Sequence, residues 1–433
     1  MKQLPNLVLA RLSSFFDRSL ISVQMFPAVV LLSWDNQFSE VGSLTLVLIA
    51  SPVLTAAFNS FIAQPLFLRY HREPSQPRQA LDSAWIATVK GSLFLFALSL
   101  FFLSQPLIAH GASMVPWILL IAAVNCFHEY FLTYHRLLHQ DHYSLRSSAI
   151  SLTIFFLGLL YGFVTKDLQH VFILGLFIGC RVLGILFSYW PEVRKIGVSR
   201  GKSDWQQVDR NSLSHFSGYL FLFCLTHGHQ VLAFCCYGIE TVGKIAAFQA
   251  ILRPFSLLVV GDQHYRFSQW VKKSDGLSLR FLLNSARWRQ FRLPLLLVSI
   301  LIALSPWLYR GIYGAHSSLG WAVQWLLAIN VVSVAAGHYL NNFLFLSTES
   351  RSALVASLKA ITLYGCFAPL ALVSLTYMVS IPTLTVMTTG IWIWMSTRLS
   401  EKPSRYSGEK STHGEPVAPE ADRISPSLPI PTT

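Results

Sequence analysis

The sequence predicts an all-α membrane protein with about 12 transmembrane helices in two six-helix bundles, related by a pseudo-twofold axis along the membrane normal. Three observations support this fold class: an apolar composition, apolar segments that recur along the chain, and a motif that occurs once in each half. Of the 433 residues, 53% are hydrophobic and 12% are charged. Soluble domains carry about 25% charged residues, so the composition indicates a chain that is surrounded largely by lipid.

Apolar segments of about 20 residues alternate with short polar connections, as expected for helices that cross the hydrocarbon core. We predict six spans in each half of the chain. The predicted spans are Leu20–Trp34, Val41–Leu68, Ala84–Phe102, Met114–Leu132, Ala149–Val164, Val171–Trp190, Phe216–Tyr237, Val242–Val260, Leu293–Leu308, Trp321–Phe345, Leu354–Val373 and Val379–Trp394.

The basic residues predict the orientation of the spans. With an even number of spans and a cytoplasmic N-terminus, the odd-numbered connections face outward. These outer connections hold Lys166, Lys244 and Arg310, and four more basic residues lie within spans. The other 26 of the 33 Lys and Arg residues lie at or near the predicted cytoplasmic side. This asymmetry is a positive-inside pattern and predicts that both termini are cytoplasmic.

A short motif predicts that the two halves are related. The second span begins Ser39-Glu40-Val41-Gly42, and the eighth begins Glu240-Thr241-Val242-Gly243; Pro52 and Pro254 follow the two glycines after ten and eleven residues. Both copies occupy even positions in six-span halves, so the repeat is parallel. We therefore predict a first bundle (1–190), a cytoplasmic linker (191–212), a second bundle (213–398) and a cytoplasmic tail (399–433), which is disordered because it has few large apolar residues.

Ionisable residues inside spans are costly in lipid and are therefore functional candidates. Most of them here are basic, which suits an anionic substrate with phosphate oxygens. For Arg18 and Lys90, snorkelling to the interface is an alternative. Glu129 either neutralises Lys90 or Arg253 as a structural partner or couples transport to protons. His227 and His229 are expected at the outer membrane interface. The substrate-binding candidates are Arg253, Lys90, Lys359, Arg18 and His215, and the ion-coupling candidates are Glu129 and Asp17.

Other classes of function lack their sequence features. The basic residues do not cluster on a soluble domain, so no nucleic-acid partner is expected. The sequence has no P-loop and no histidine pair at the zincin spacing, so no cofactor and no metal site are expected. A membrane enzyme of glycan assembly usually carries a sizeable outer loop, whereas every outer connection here is short. We expect no enzymatic activity, and the glycan enzyme is kept as an alternative.

Two segments resemble a known family. The stretch from Leu31 to Arg72 has an apolar span, an acidic turn ending in Glu40-Val41-Gly42, and a span ending in Gln64-Pro65-Leu66-Phe67 before a basic turn. It resembles the start of Wzx-type O-antigen and exopolysaccharide flippases. The segment from Val231 to Gln269, which includes Phe248-Gln249-Ala250-Ile251-Leu252-Arg253-Pro254, is similar to the corresponding part of their second half. These flippases belong to the multidrug/oligosaccharidyl-lipid/polysaccharide (MOP) exporter superfamily.

The resemblance implies two bundles around a central cavity that opens alternately to the two sides of a bacterial inner membrane. It implies an undecaprenyl-diphosphate-linked oligosaccharide as substrate, with membrane lipids, a polysaccharide polymerase and glycosyltransferases as partners. Arg18 and Arg253 match cavity arginines on the first and eighth helices of related lipid II flippases. A cation-coupled multidrug exporter of the same fold is the alternative, and Asp17 is then the acidic candidate in the first span.

Overall fold

The computed structural model describes residues 23–63, 77–103, 114–137, 141–193, 210–253, 292–314, 319–347 and 350–400. Within these ranges the regular structure is helical and no strand occurs. The helices are α1 (Val23–Trp34), α2 (Phe38–Phe58), α3 (Pro77–Leu103), α4 (Met114–Leu137), α5 (Asp141–Thr165), α6 (His170–Val193), α7 (Arg210–Phe223), α8 (His229–Tyr237), α9 (239–253), α10 (Arg292–Tyr313), α11 (Trp321–Ser347), α12 (Ser350–Phe367) and α13 (Leu375–Ser400).

Every predicted span overlaps a helix of the described residues. The described helices outnumber the predicted spans by one, because α7 and α8 together occupy the position of a single span. In the described ranges, eight helical stretches are long and apolar enough to cross a membrane, and α1 is a shorter apolar helix. A helix satisfies its backbone N–H and C=O groups internally, which the hydrocarbon core requires. The predicted all-α, multi-pass membrane fold is therefore confirmed.

The apolar core is arranged differently at the two ends of the helices. We call the end with the turns at 35–37, 166–169 and 238 the outer end, and the opposite end the inner end. Near the outer end, one continuous cluster joins helices of both halves, including Val41 and Val242. Two further clusters are separate, one around Tyr130 in the first half and one around Phe221 in the second. The apolar packing that the halves share is thus concentrated toward the outer end.

The two copies of the sequence motif meet at the outer end. A Cβ atom built on Gly42 would collide with the carbonyl oxygen of Ile239, and one built on Gly243 would collide with the carbonyl oxygen of Phe38. The two glycines are 201 residues apart, and so are Phe38 and Ile239, whose carbonyl oxygens they contact. Each half therefore makes the same contact with the other, and the contact is reciprocal. Small residues allow helix backbones to approach closely in membranes. This reciprocity is what a pseudo-twofold axis between the halves requires.

Two predicted spans contain a π-helical turn. The turn Asn59–Ala63 follows α2, and the turn Cys224–Gly228 connects α7 to α8. The rings of Phe61, in the first turn, and Phe216, on α7, lie 5.2 Å apart and connect the two halves away from the outer-end cluster. Single π turns occur frequently at functional sites, and the second of them carries part of the polar cluster that is described below.

The Glu40 carboxylate connects the start of α2 to the start of α6 through hydrogen bonds. Glu40 Oε2 accepts hydrogen bonds from the His170 backbone N–H at 2.8 Å and from His170 Nδ1 at 2.6 Å. We expect Glu40→Ala to lower the free energy of unfolding by about 1 kcal/mol, because both bonds to a charged acceptor are lost at a partly exposed site. Thermal unfolding of the detergent-solubilised protein measures this change.

The repeat provides the matched control for this prediction. Glu240 pairs with Lys244 one turn along its own helix at 2.8 Å, and its side chain is 64% exposed. Exposed pairs of this kind contribute about 0.3–0.5 kcal/mol, so Glu240→Ala should leave the unfolding transition nearly unchanged. Equal effects of the two substitutions would contradict a stabilising role that is specific to the Glu40–His170 contact.

Residues up to Trp392 belong to one compact unit, and residues from Ile393 onward belong to a second. The predicted division at 1–190, 191–212, 213–398 and 399–433 stays a prediction, since residues 194–209 and 401–433 lie outside the described residues.

Candidate functional site

The predicted site residues fall into three groups. Arg18 and Asp17 lie outside the described residues. Lys90 and Lys359 are exposed, and their neighbours one turn away, including Leu93 and Val355, are exposed apolar side chains. The remaining three candidates are half-buried within the helices: His215, Arg253 and Glu129.

Both lysines lie on exposed, apolar faces of their helices. Lys90 shares its face of α3 with Leu93 and Phe94, which are 58% and 67% exposed. The Lys359 Nζ atom lies 4.4 Å from the centroid of the Trp392 ring, a cation–π contact. These surroundings fit the snorkelling alternative, and a substrate role for either lysine stays a prediction.

A cluster of buried and half-buried polar side chains lies between the π turn, α8 and α9. Its members are His227, His229, Gln230 and Gln249, which we call the His–Gln chain. His227 Nδ1 is 2.9 Å from Gln230 Oε1, Gln230 Nε2 is 2.6 Å from Gln249 Oε1, and Gln249 Nε2 is 2.7 Å from His229 Nε2. His229 is 1% exposed and Gln230 is 2% exposed. The His229 ring is therefore enclosed by helices, and the expectation that it lies at the depth of the membrane interface stays a prediction.

The π turn makes room for this cluster. Gly228 packs directly against the hydroxyl of Tyr364 on α12, where a Cβ atom would collide with the phenol. The Tyr364 hydroxyl and His229 Nδ1 are buried and have no hydrogen-bond partner among the described residues. Buried polar atoms are costly when they are unpaired. Packing of the second half alone therefore does not explain why polar side chains occupy this region.

Arg253 extends the polar surface toward the inner end. It lies four residues after Gln249 on α9, so the two side chains share a helix face. Its positive charge acts electrostatically on His227. The structure thus brings the predicted substrate-binding residue Arg253 together with the His–Gln chain.

The His–Gln chain consists of two imidazoles and two amides and has no carboxylate, so it lacks the charged oxygen ligands that hard cations prefer.

Glu129 lies on the side of α4 that faces the second half. Its charge acts on Cys126, one turn earlier, and on Tyr219 of α7. Tyr219 is four residues after His215, so the coupling candidate of the first half approaches the helix face that carries a substrate candidate of the second. These groups, together with Phe61 and Phe216, form the contact region of α2, α4 and α7.

Sequence reasoning missed Gln230 and Gln249 and did not anticipate the burial of His229. Their signal was present: Gln230 follows His227 by three residues, and Gln249 precedes Arg253 by four, so each amide shares a helix face with an ionisable residue. An amide carries no charge, and a search limited to ionisable residues therefore does not find it. The contact between the two amides depends on the packing of two helices, which spacing within one helix does not reveal.

Comparison with known proteins identifies the fold. No family model matches the sequence, and no curated protein matches it. Solved structures do match along nearly the whole chain. An inward-facing multidrug resistance MATE family transporter of the MOP superfamily shares 13% identity over 89% of this chain and 96% of its own, with a TM-score of 0.55. An outward-facing MATE structure shares 13% identity over 91% and 95%, with a TM-score of 0.52.

A third match is a MOP superfamily transporter from Pyrococcus furiosus whose binding pocket is described as reversed in polarity. It shares 12% identity over 92% of this chain and 96% of its own, with a TM-score of 0.50. The matched proteins are transporters, not enzymes. The match runs along nearly the whole chain, so the chain has the two-bundle helical fold of the matched MATE transporters of the MOP superfamily.

Proposed function

We propose that the chain translocates an undecaprenyl-diphosphate-linked oligosaccharide, an O-antigen or exopolysaccharide repeat unit, across a bacterial inner membrane by alternating access. The observation that carries this proposal is the position of Arg253, half-buried on the α9 face that continues the His–Gln chain. A guanidinium binds phosphate oxygens bidentately. Imidazole and amide groups next to it are suited to hydrogen bonds with a diphosphate or a sugar.

Alternating access is supported by the distribution of apolar packing. One cluster joins the halves near the outer end, while two separate clusters lie farther from it. Two rigid halves that share one closed end can rock about a site between them. The fold of the matched transporters includes inward-facing and outward-facing states, which is consistent with this proposal.

The proposed partners and location follow from the substrate. A lipid-linked sugar brings the protein into contact with membrane lipids, with the glycosyltransferases that supply the repeat unit and with the polymerase that uses it. No nucleic acid takes part. The positive-inside pattern supports cytoplasmic termini.

Deletion of the gene tests the substrate class. We expect loss of surface polysaccharide and accumulation of lipid-linked repeat units in the cytoplasmic leaflet, both restored by a plasmid copy. The accumulated lipid is identified by mass spectrometry after solvent extraction. Unchanged surface polysaccharide with no accumulated lipid-linked units would overturn the proposal.

The multidrug exporter is the second candidate, and the fold of the matched MATE transporters favours it as much as the flippase. Such an exporter needs acidic groups for cationic drugs, and Glu129 is the half-buried acidic residue near α7. If this candidate is right, Glu129→Gln should reduce drug resistance at least about tenfold, the loss expected for about 1.4 kcal/mol of binding free energy. Resistance assays of cells that express each form measure this.

Asp167 provides a matched control for Glu129→Gln, because it is an exposed acidic residue in an outer turn. Asp167→Asn should leave resistance unchanged. Resistance that is unaffected by both substitutions would exclude Glu129 as the drug-coupling group and leave the flippase as the supported function.

A further inference from the structure

We propose that His227 is a proton-binding site that is linked to anion binding at Arg253, so that proton and anionic substrate bind together. The proposal rests on the proposed function, since it assumes that an anion occupies Arg253. It names the coupled ion and the nitrogen atom that receives it, neither of which follows from the fold.

The hydrogen bonds of the His–Gln chain have a direction. Gln230 Nε2 donates to Gln249 Oε1, so Gln230 Oε1 remains to accept from His227 Nδ1. Gln249 Nε2 in turn donates to His229 Nε2. An imidazole nitrogen that accepts carries no proton. His229 is therefore neutral with its proton on Nδ1, and His227 carries its proton on Nδ1.

This direction makes the two histidines unequal as proton acceptors. A proton on His229 Nε2 would face the donating amide of Gln249, so both glutamines and the His227 tautomer would have to reverse. A proton on His227 Nε2 disturbs none of the three hydrogen bonds. No hydrogen bond to His227 Nε2 occurs among the described residues, and the ring is half-buried rather than enclosed. His227 Nε2 is thus the nitrogen of the chain that can take up a proton without rearrangement.

Arg253 determines when that proton is bound. Its positive charge acts on His227, and like charges oppose each other strongly where water is excluded. An anion on Arg253 neutralises this charge and removes the opposition. In the part of the chain that the structure describes, the other titratable groups near the π turn include Cys224 on the turn and Tyr364 of α12. His338 follows Gly337, where α11 packs on Leu225. Lys244 and Glu240 on α9 pair with each other at the outer end.

Linkage of this kind is reciprocal: an anion that promotes protonation must itself bind more tightly when the proton is present. Proton uptake during anion binding measures this linkage. It is followed with an indicator dye in weakly buffered detergent solution near neutral pH. The probe is a P1,P2-dialkyl diphosphate, because its two charges do not titrate in this range. We expect the natural chain to bind the probe about tenfold more tightly at about pH 5.5 than at about pH 8, and to take up protons as it binds.

The test variant is His227→Asn, because the Asn amide nitrogen can replace Nδ1 as the donor to Gln230 while no titratable nitrogen remains. We expect probe binding without proton uptake and with a flat pH dependence. His227→Gln is the second variant if the first does not fold. His170→Gln removes a histidine at the outer end instead, and proton uptake should persist.

The outcomes separate this inference from the proposed function. Probe binding by the natural chain without proton uptake would overturn the linkage and leave the diphosphate site intact. Uptake that persists in the folded His227 variants would place the proton elsewhere and overturn the assignment. Failure of the natural chain to bind the probe would overturn the anion site at Arg253, and the linkage with it.

Discussion

Replacing Gly243 by valine should keep the outer end from closing and reduce transport at least about tenfold. The Cβ atom alone would collide with the carbonyl oxygen of Phe38, which is backbone and cannot rotate away. Overpacking of this kind costs about 1–3 kcal/mol, which shifts a conformational equilibrium by about 5- to 160-fold, and the backbone collision places this site in the upper part of that range. Because the contact is reciprocal, Gly42→Val should have the same effect through Ile239.

Accessibility at the outer end measures this shift without a substrate. A cysteine at Val41, which is 0% exposed, should react slowly with an impermeant maleimide in the parent and much faster in the Gly243→Val variant. The background for both carries serine at the exposed cysteines Cys235, Cys236 and Cys366. Gly175→Val on α6 is the control, since a Cβ there meets no atom within 4 Å. Slow labelling in the Gly243→Val variant would show that the glycine contact is not needed for closure.

Arg253→Gln is expected to weaken binding of a dialkyl diphosphate by about ten- to a hundredfold, the loss of one charged hydrogen-bonding partner worth about 1.5–3 kcal/mol. Arg253→Lys should recover part of this, since lysine keeps the charge but cannot bind two phosphate oxygens in a planar fork. Flipping of the lipid-linked substrate in proteoliposomes should fall in the same order. The graded result distinguishes recognition of the anion from a purely structural role of the side chain.

Arg310→Gln is the control for the arginine substitutions. The Arg310 guanidinium lies 3.8 Å from the centroid of the Trp321 ring at the outer end, on an exposed surface away from the His–Gln chain. Its loss should leave diphosphate binding unchanged. Equal binding by the Arg253→Gln variant and the parent would remove Arg253 from the substrate site and require a different anchor for the anion.

The sequence alone predicts much of this fold because lipid imposes a simple rule on it. Apolar stretches of span length can satisfy their backbone only as helices, so their positions are readable from composition. The paired motifs at Gly42 and Gly243 likewise predict related halves, and the structure places the two glycines in reciprocal contact.

The site was less predictable, for reasons that individual residues show. Lys90 and Glu129 both lie within predicted spans, yet one is on an exposed apolar face and the other approaches α7. Which face of a helix meets a neighbour depends on packing between helices, and π turns shift that face by one residue. The π turn at Cys224–Gly228 turns His229 inward, and spacing counted from an ideal helix does not anticipate this.

The reciprocal glycine contact also bears on how such a chain arises. Each half supplies a glycine that receives the other half's carbonyl oxygen, which is the form a contact takes in a symmetric homodimer. A six-helix ancestor with one copy of the motif would already make both contacts by pairing with itself. Duplication and fusion of its gene would then preserve the closed outer end, while freeing each half to diverge. The second half could gain the His–Gln chain and Arg253 without any cost to the first.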